Sequence, residues 1–151
     1  MKIRKLLHYE APPLNLLLLA DPSQEQVEKY IANGECRVAE VEGEIVGTYV
    51  LIRLNDKTME VINVAVDVRM HGCGIGKKLI SHAIQTAKAL GGKTLEVGTG
   101  NSSIDQLAFY QKCGFRMDGI IKDFFIERYG EDIFENGIQC RDMIRFSIDI
   151  S

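Results

Sequence analysis

The spacing of hydrophobic residues alternates between extended and helical periods along the chain. In the first half, three successive segments rich in β-branched residues have the extended pattern, and short polar turns separate them. They predict an antiparallel meander, which a short first strand precedes. The predicted strands are residues 2–6, 36–41, 45–54 and 58–66.

Two helices are predicted between the first strand and the meander. A proline pair suits the first turn of a mostly buried helix through residues 14–19. The second helix is predicted to begin with Asp21 as its N-cap and Pro22 at its first position, and to end at Gly34.

The third predicted helix has the clearest pattern, because its hydrophobic residues form one stripe and its polar residues face away. Two consecutive glycines end it at residues 91–92. The stripe consists of Ile75, Leu79, Ile80, Ala83, Ile84, Ala87 and Leu90.

The remaining pattern predicts a further helix, which Ser102 or Ser103 can cap and which runs through Cys113. A short strand at residues 94–97 and a loop at residues 98–101 precede this helix. Two longer strands, at residues 115–128 and 138–150, follow it. The whole pattern predicts an α/β (α+β) fold in one domain over residues 1–151.

Charge and cysteine content exclude several functional classes. A net charge of −3 argues against a nucleic-acid partner, which requires clustered Lys and Arg. The 4 cysteines form no C-x-x-C pair, so we expect no metal site and a reducing, cytoplasmic location. The leucine-rich stretch at residues 14–19 is far shorter than a membrane span.

Three alternate glycines, Gly72, Gly74 and Gly76, stand between a predicted strand and the long third helix. Their backbone amides and the helix dipole can bind phosphate oxygens. A P-loop requires a wider glycine spacing, and a dinucleotide-binding loop requires glycine where Lys77 stands. A flexible connector is the alternative interpretation.

The segment His71-Gly72-Cys73-Gly74-Ile75-Gly76 resembles the phosphate loop of the GCN5-related N-acetyltransferase (GNAT) superfamily. The preceding Asn63-Val64-Ala65-Val66-Asp67 resembles the fourth strand of that family, and Tyr110 through Gly114-Phe115 resembles its second motif. The resemblance implies a mixed, mostly antiparallel sheet of about six to seven strands with helices on both faces. Two of these strands would splay apart to admit acyl-CoA.

The resemblance also implies how acetyl-CoA is held, with no metal. The backbone of Val64, Ala65 and Val66 would bind the pantetheine arm. Pyrophosphate would bind the loop residues His71, Gly72, Cys73, Gly74, Ile75, Gly76 and Lys77, of which His71 departs from the usual Gln or Arg. Asn101 and Ser103 are candidate polar contacts to the cofactor, and helix capping is their alternative role.

Acetyl transfer to an amine needs a base for the nucleophile and a proton for the departing thiolate. Glu60 matches the family's base, and a solvated strand-face carboxylate or a substrate-orienting group is the alternative. Tyr110 matches the tyrosine that protonates the thiolate, with core packing as its alternative. Cys73 has no base-and-orienter pattern that would make it a nucleophile.

The predicted function is transfer of acetyl from acetyl-CoA to a primary amine of a small molecule or peptide. A catalytically silent acyl-CoA sensor is the alternative. Residues 123–132 mix aromatics and carboxylates, so they suit the wall of an amine pocket, an exposed hairpin or the edge of a homodimer. No segment carries a motif for a particular acceptor.

Overall fold

The computed structural model describes residues 1–151. A seven-stranded sheet forms the centre of the fold. The sheet strands are β1 Lys2–Lys5, β2 Glu35–Val41, β3 Glu44–Arg53, β4 Thr58–Val66, β5 Thr94–Gly100, β6 Arg116–Ile121 and β9 Met143–Asp149, and the separate hairpin strands are β7 Phe134–Glu135 and β8 Ile138–Gln139. The helices are α1 Leu14–Ala20, α2 Gln24–Asn33, α3 Ile75–Ala89, α4 Ile104–Lys112 and α5 Phe124–Tyr129.

The strand order is β1-β2-β3-β4-β5-β9-β6, and only β4 and β5 are parallel. The predicted meander is confirmed, since β2, β3 and β4 pair consecutively in antiparallel fashion. The predicted mixed, mostly antiparallel sheet of six to seven strands is also confirmed.

Helices cover both faces of the sheet, because successive side chains of a strand point to opposite sides. On β3, Tyr49 and Leu51 join the larger core under α3 and α4. Between them, Val50 packs with Leu17 of α1 and Val27 of α2 on the other face. The predicted stripe of α3 is buried from Ile75 through Ala87 except for the half-buried Ile84, while Leu90 lies beyond the helix and is exposed.

The parallel strands β4 and β5 stay together for only a few residues. Their pairing runs from Thr58 opposite Thr94 to Glu60 opposite Glu96, and no pairing follows. Two residues later, β4 contains a β-bulge at Ile62, since Val61 and Asn63 pair with consecutive residues of β3. A bulge bends its strand. The sheet therefore opens into a cleft between residues 61–66 and 97–100.

The start of α2 differs from the prediction. Ser23 is its N-cap, and the Ser23 hydroxyl accepts a hydrogen bond from the Gln26 amide at 3.3 Å. The predicted cap, Asp21, is buried and accepts hydrogen bonds from side chains of α2 and α5 instead. Tertiary contacts therefore outweighed the local capping pattern.

The predicted long strand at residues 115–128 is wrong. β6 ends at Ile121, and Asp123 then adopts a left-handed backbone with φ of 59°, from which α5 begins. The aromatic residues at the start of α5 favour a strand, but a backbone hydrogen bond from Phe125 to Arg141 fixes the turn. Likewise, residues 138–150 divide into β8 and β9, and β5 continues through the predicted loop to Gly100.

None of the helices combines the length and the hydrophobicity that crossing a lipid bilayer requires.

Candidate active site

A cavity of about 850 Å³ occupies the cleft between β4 and β5. Residues 60–66 of β4 line one side, and residues 97–100 of β5 line the other. The cavity continues to α5 and to the junction of α1 and α2. A shallower depression of about 510 Å³ lies on the outer side of α3 and contains Lys77.

The glycine loop follows His71, which lines the cleft, whereas residues 72–77 themselves lie outside the cavity lining. Gly72 and Gly74 have φ of 83° and 79°, a left-handed conformation that favours glycine, and Gly74 is the N-cap of α3. The amides of residues 74–77 donate no hydrogen bond within the protein. Together with the positive end of the 15-residue helix, these amides can bind an anion.

Side chains on either side of the loop brace it. Asp67 accepts hydrogen bonds from the Arg69 amide and guanidinium, each at 2.9 Å, and these bonds lower the pKa of Asp67. His71 Nε2 donates to the Val66 carbonyl at 3.0 Å, so the ring folds back onto β4. Cys73 is exposed and lies outside the cavity lining.

Tyr110 of α4 reaches the cavity from the core. Its ring packs against Phe109, Phe115 and Phe146 with centroid distances of 5.3, 6.0 and 5.6 Å, and the residue is 4% exposed. The hydroxyl has no hydrogen-bond partner within the protein, and Tyr110 lines the cleft. Burial raises the pKa of Tyr110 above its ordinary value, so the phenol stays protonated.

Glu60 lies at the point where the strands separate and is 8% exposed, which contradicts the interpretation as a solvated carboxylate. Its Oε2 accepts a hydrogen bond from Arg145 Nη1 at 2.8 Å, and Arg145 Nη2 donates to Glu96 Oε1 at 2.8 Å. Burial lowers the pKa of Arg145, but bonds to both carboxylates outweigh burial and raise it overall. The guanidinium thus stays charged between two adjacent glutamates.

Sequence reasoning missed Arg145, which lies on the distant strand β9. One signal was present at Gly98, because a Cβ placed there would lie 2.7 Å from both Arg145 Nη1 and Met143 Sδ. Gly98 therefore leaves room for the guanidinium over β5. The role of Gly98 becomes clear only from the strand order, which places β9 beside β5.

Helix α5 spans the cleft. At one end, the Phe125 ring lies 3.5 Å from where a Cβ on Gly100 would be. At the other, the Tyr129 hydroxyl donates to Asp21 Oδ1 at 2.9 Å, and Arg128 pairs with Asp21 Oδ2 at 3.4 Å. Burial and the Asp21 charge raise the pKa of Tyr129 to about 12. Residues of the predicted 123–132 cluster therefore wall the cavity.

Asn101 and Ser103 hold the end of β5 to the hairpin region. Asn101 Oδ1 accepts from the amides of Arg141 and Asp142 at 2.9 and 3.0 Å. Ser103 begins α4, but its hydroxyl donates to Glu135 Oε1 at 2.9 Å and does not accept a bond from the helix. Ser103 lines the cavity, whereas Asn101 is not among its lining residues.

Asn63 is a second residue that the sequence did not single out. Its Nδ2 donates to the Leu17 carbonyl at 3.0 Å and to the Tyr30 hydroxyl at 2.8 Å, which ties β4 to α1 and α2. Its Oδ1 is buried without a partner, and the residue lines the cleft just after the β-bulge.

Comparisons with known proteins agree with this architecture. The family model described as the acetyltransferase (GNAT) family matches residues 5–115. An uncharacterized N-acetyltransferase of Bacillus subtilis, YvbK, is 53% identical over 136 residues, which cover 90% of this chain and 88% of that protein.

Two solved structures share the whole fold. A GNAT family acetyltransferase from Elizabethkingia anophelis with acetyl-CoA bound has a TM-score of 0.96 at 43% identity, over 98% of this chain and 97% of its own. A Bacillus cereus protein described as an IAA acetyltransferase has a TM-score of 0.93 at 52% identity, over 98% of both chains. The chain therefore belongs to the GNAT family and is an acyl-CoA-dependent N-acetyltransferase with acetyl-CoA as its co-substrate.

Proposed function

We propose that this enzyme transfers acetyl directly from acetyl-CoA to a primary amine of a small molecule or peptide, within a ternary complex. The observation that carries the proposal is the shared cavity, into which both Glu60 and Tyr110 open where β4 and β5 diverge. A carboxylate and a protonated phenol on one cavity suit a reaction that takes a proton from an amine and stabilises a thiolate.

The cofactor would follow the opened edge of β4. Beyond Glu60 this edge has no partner strand, so backbone groups of Val64, Ala65 and Val66 can pair with the amides of pantetheine as a further strand would. The amides of the loop at residues 72–77 would bind pyrophosphate. His71 is held on Val66, which leaves the backbone as the main phosphate ligand.

Two polar residues at the end of β5 complete the proposed cofactor site. Ser103 lines the cleft and offers its hydroxyl oxygen as an acceptor. The side chain of Asn101 donates one hydrogen bond from Nδ2 to the Gln139 carbonyl and accepts two at Oδ1 from the amides of residues 141–142. The second N–H of Nδ2 remains free for the cofactor.

In the proposed reaction, the neutral amine attacks the thioester carbon, the new C–N bond forms, and the C–S bond breaks. Glu60 accepts the amine proton through Oε1, directly or through water, because Arg145 holds Oε2. The Tyr110 hydroxyl donates a hydrogen bond and then a proton to the departing thiolate. Since burial raises the pKa of Tyr110, its proton is present throughout the working pH range.

Amine-dependent release of free thiol from acetyl-CoA tests this proposal. We expect acetyl-CoA to bind by calorimetry and thiol release to require both an amine and Glu60. Binding without release from any amine would favour the silent acyl-CoA sensor instead.

We further propose a cytoplasmic homodimer. All 4 cysteines are free, as a reducing compartment requires. The edge strand β6 is exposed along its length, with Met117, Ile120 and Ile121 at 51%, 62% and 45% exposure, so a second copy can cover it. Sedimentation should give a dimer that Ile120→Lys dissociates, and a monomeric wild type would contradict this.

A further inference from the structure

We infer that the acceptor is a monoamine whose amino group is joined to a flat, aromatic body. This inference rests on the proposed function and narrows it. Its basis is the chemistry of the cavity wall that α5 forms opposite β4.

The aromatic residues of α5 are available to a ligand. Phe124, Phe125 and Tyr129 line the cavity, yet none is buried, and neither phenylalanine belongs to a hydrophobic core. The Phe125 and Tyr129 rings are parallel within 8°, and Phe124 stands nearly perpendicular to Phe125 at a centroid distance of 5.0 Å. Half-buried aromatic rings that line a cavity favour a flat apolar ligand.

Two of the three carboxylates that line the cavity, Asp21 and Glu60, are paired with arginines. Asp21 accepts hydrogen bonds from Arg128 and from the hydroxyls of Tyr30 and Tyr129. Glu60 is paired with Arg145. The third, Glu135, is exposed and forms no ion pair, and its Oε1 accepts hydrogen bonds from two serine hydroxyls.

An acceptor with several ammonium groups needs several unpaired carboxylates, because a buried charge without a partner is costly. Where β4 and β5 diverge, the proposed site of the thioester, Glu60 Oε1 is free to receive one amino group. Elsewhere along α5, the cation of Arg128 lies over the rings of Phe124 and Tyr129, at 5.2 and 5.8 Å from their centroids. A second ammonium beside α5 would meet this cation, and only the exposed Glu135 could pair with it, so the wall favours a monoamine over polyamines and aminoglycosides.

The test compares initial rates of thiol release from acetyl-CoA with five amines. 2-Phenylethylamine supplies the aromatic ring, and 2-cyclohexylethylamine is its matched control of similar size without a flat ring. Spermidine, kanamycin and an alanine-initiated tripeptide represent the competing classes. We expect kcat/KM for 2-phenylethylamine to exceed that of each competing class by about tenfold or more, and to exceed that of the cyclohexyl control.

Phe125→Leu and Phe124→Leu should each raise KM for 2-phenylethylamine by about fivefold to tenfold and leave the KM of acetyl-CoA unchanged. Tyr9→Leu removes an exposed ring outside the cavity and should change neither constant. Retained acetyl-CoA binding shows that each variant is folded.

Faster acetylation of spermidine, kanamycin or the tripeptide would overturn this inference while the acetyltransferase proposal stands. So would an unchanged KM for 2-phenylethylamine in both phenylalanine variants. Binding of acetyl-CoA with no acetylation of any amine would contradict the proposed function, and this inference with it.

Discussion

The guanidinium of Arg145 and the carboxylate of Glu60 form an ion pair of 2.8 Å at the point where β4 and β5 separate. Glu96, the register partner of Glu60, takes the other terminal nitrogen of Arg145 at the same distance. Two like charges on neighbouring strands thus share one cation. This arrangement holds the proposed base at the cavity and leaves its Oε1 without a hydrogen-bond partner in the protein.

Glu60→Gln should lower kcat/KM for the amine by roughly 10²-fold or more, because the amide cannot accept the amine proton. The amide oxygen still accepts the Arg145 hydrogen bond, so binding of acetyl-CoA should be unchanged. Steady-state rates and calorimetry measure the two effects. A variant as active as the wild type would remove Glu60 from the mechanism.

Arg145→Gln should lower kcat/KM for the amine by about tenfold or more, because loss of the ion pair leaves the buried Glu60 carboxylate without the cation that holds it in place. Glu96→Gln should have a much smaller effect, since the amide oxygen at residue 96 still accepts the hydrogen bond from Arg145. Steady-state rates of thiol release measure both effects.

Arg116→Gln provides the control, since this exposed arginine lies outside the cavity. Its kcat/KM for the amine should match that of the wild type. Wild-type kcat/KM in Arg145→Gln as well would show that Arg145 does not hold the proposed base.

Tyr110→Phe should reduce kcat by roughly 10²-fold with nearly unchanged affinity for acetyl-CoA, because the ring packing is kept and only the proton donor is lost. Burial raises the pKa of Tyr110, so the phenol keeps its proton well above neutral pH. Tyr110 should therefore cause no fall in the wild-type kcat below about pH 10. Wild-type turnover by the phenylalanine variant would exclude Tyr110 as the acid.

Gly74→Ala should weaken acetyl-CoA binding by about tenfold or more. The φ of 79° at residue 74 disfavours alanine by about 1–2 kcal/mol, so the loop would shift and its amides would leave their positions. Gly91→Ala is the matched control at the other end of α3, where φ is 90° and a Cβ would also meet open space.

Both substitutions should lower the free energy of unfolding similarly, while Gly91→Ala keeps wild-type affinity. Thermal unfolding and calorimetry separate the two effects. Equal loss of affinity in both variants would show that the loop is not the phosphate site.

The first two thirds of the fold were predictable because local signals agreed there. The meander, the stripe of α3 and the glycine loop each follow from periodicity or from glycine placement. The end of the chain was not, because the Phe-Phe-Ile run of α5 satisfies strand propensity and becomes a helix only through its contacts with residues 141–142. Those contacts are separated by 16 to 19 positions and leave no local pattern.

The candidate site shows the same division. Glu60, Tyr110 and the loop were found from motifs, whereas Arg145 and Asp21 act through partners that are 85 and 108 positions away. In the sequence, these two residues look like ordinary charged surface residues. Only the folded sheet brings their partners beside them. Burial and ion pairing, which decide the role of Glu60, cannot be read from spacing.

Initial rates of thiol release, with acetyl-CoA and 2-phenylethylamine both varied, test the central claim of direct transfer most directly. Transfer within a ternary complex predicts reciprocal plots that intersect and one acetylated amine for each thiol released. Parallel plots, with an acetyl group on the enzyme detectable by intact mass, would contradict direct attack on acetyl-CoA.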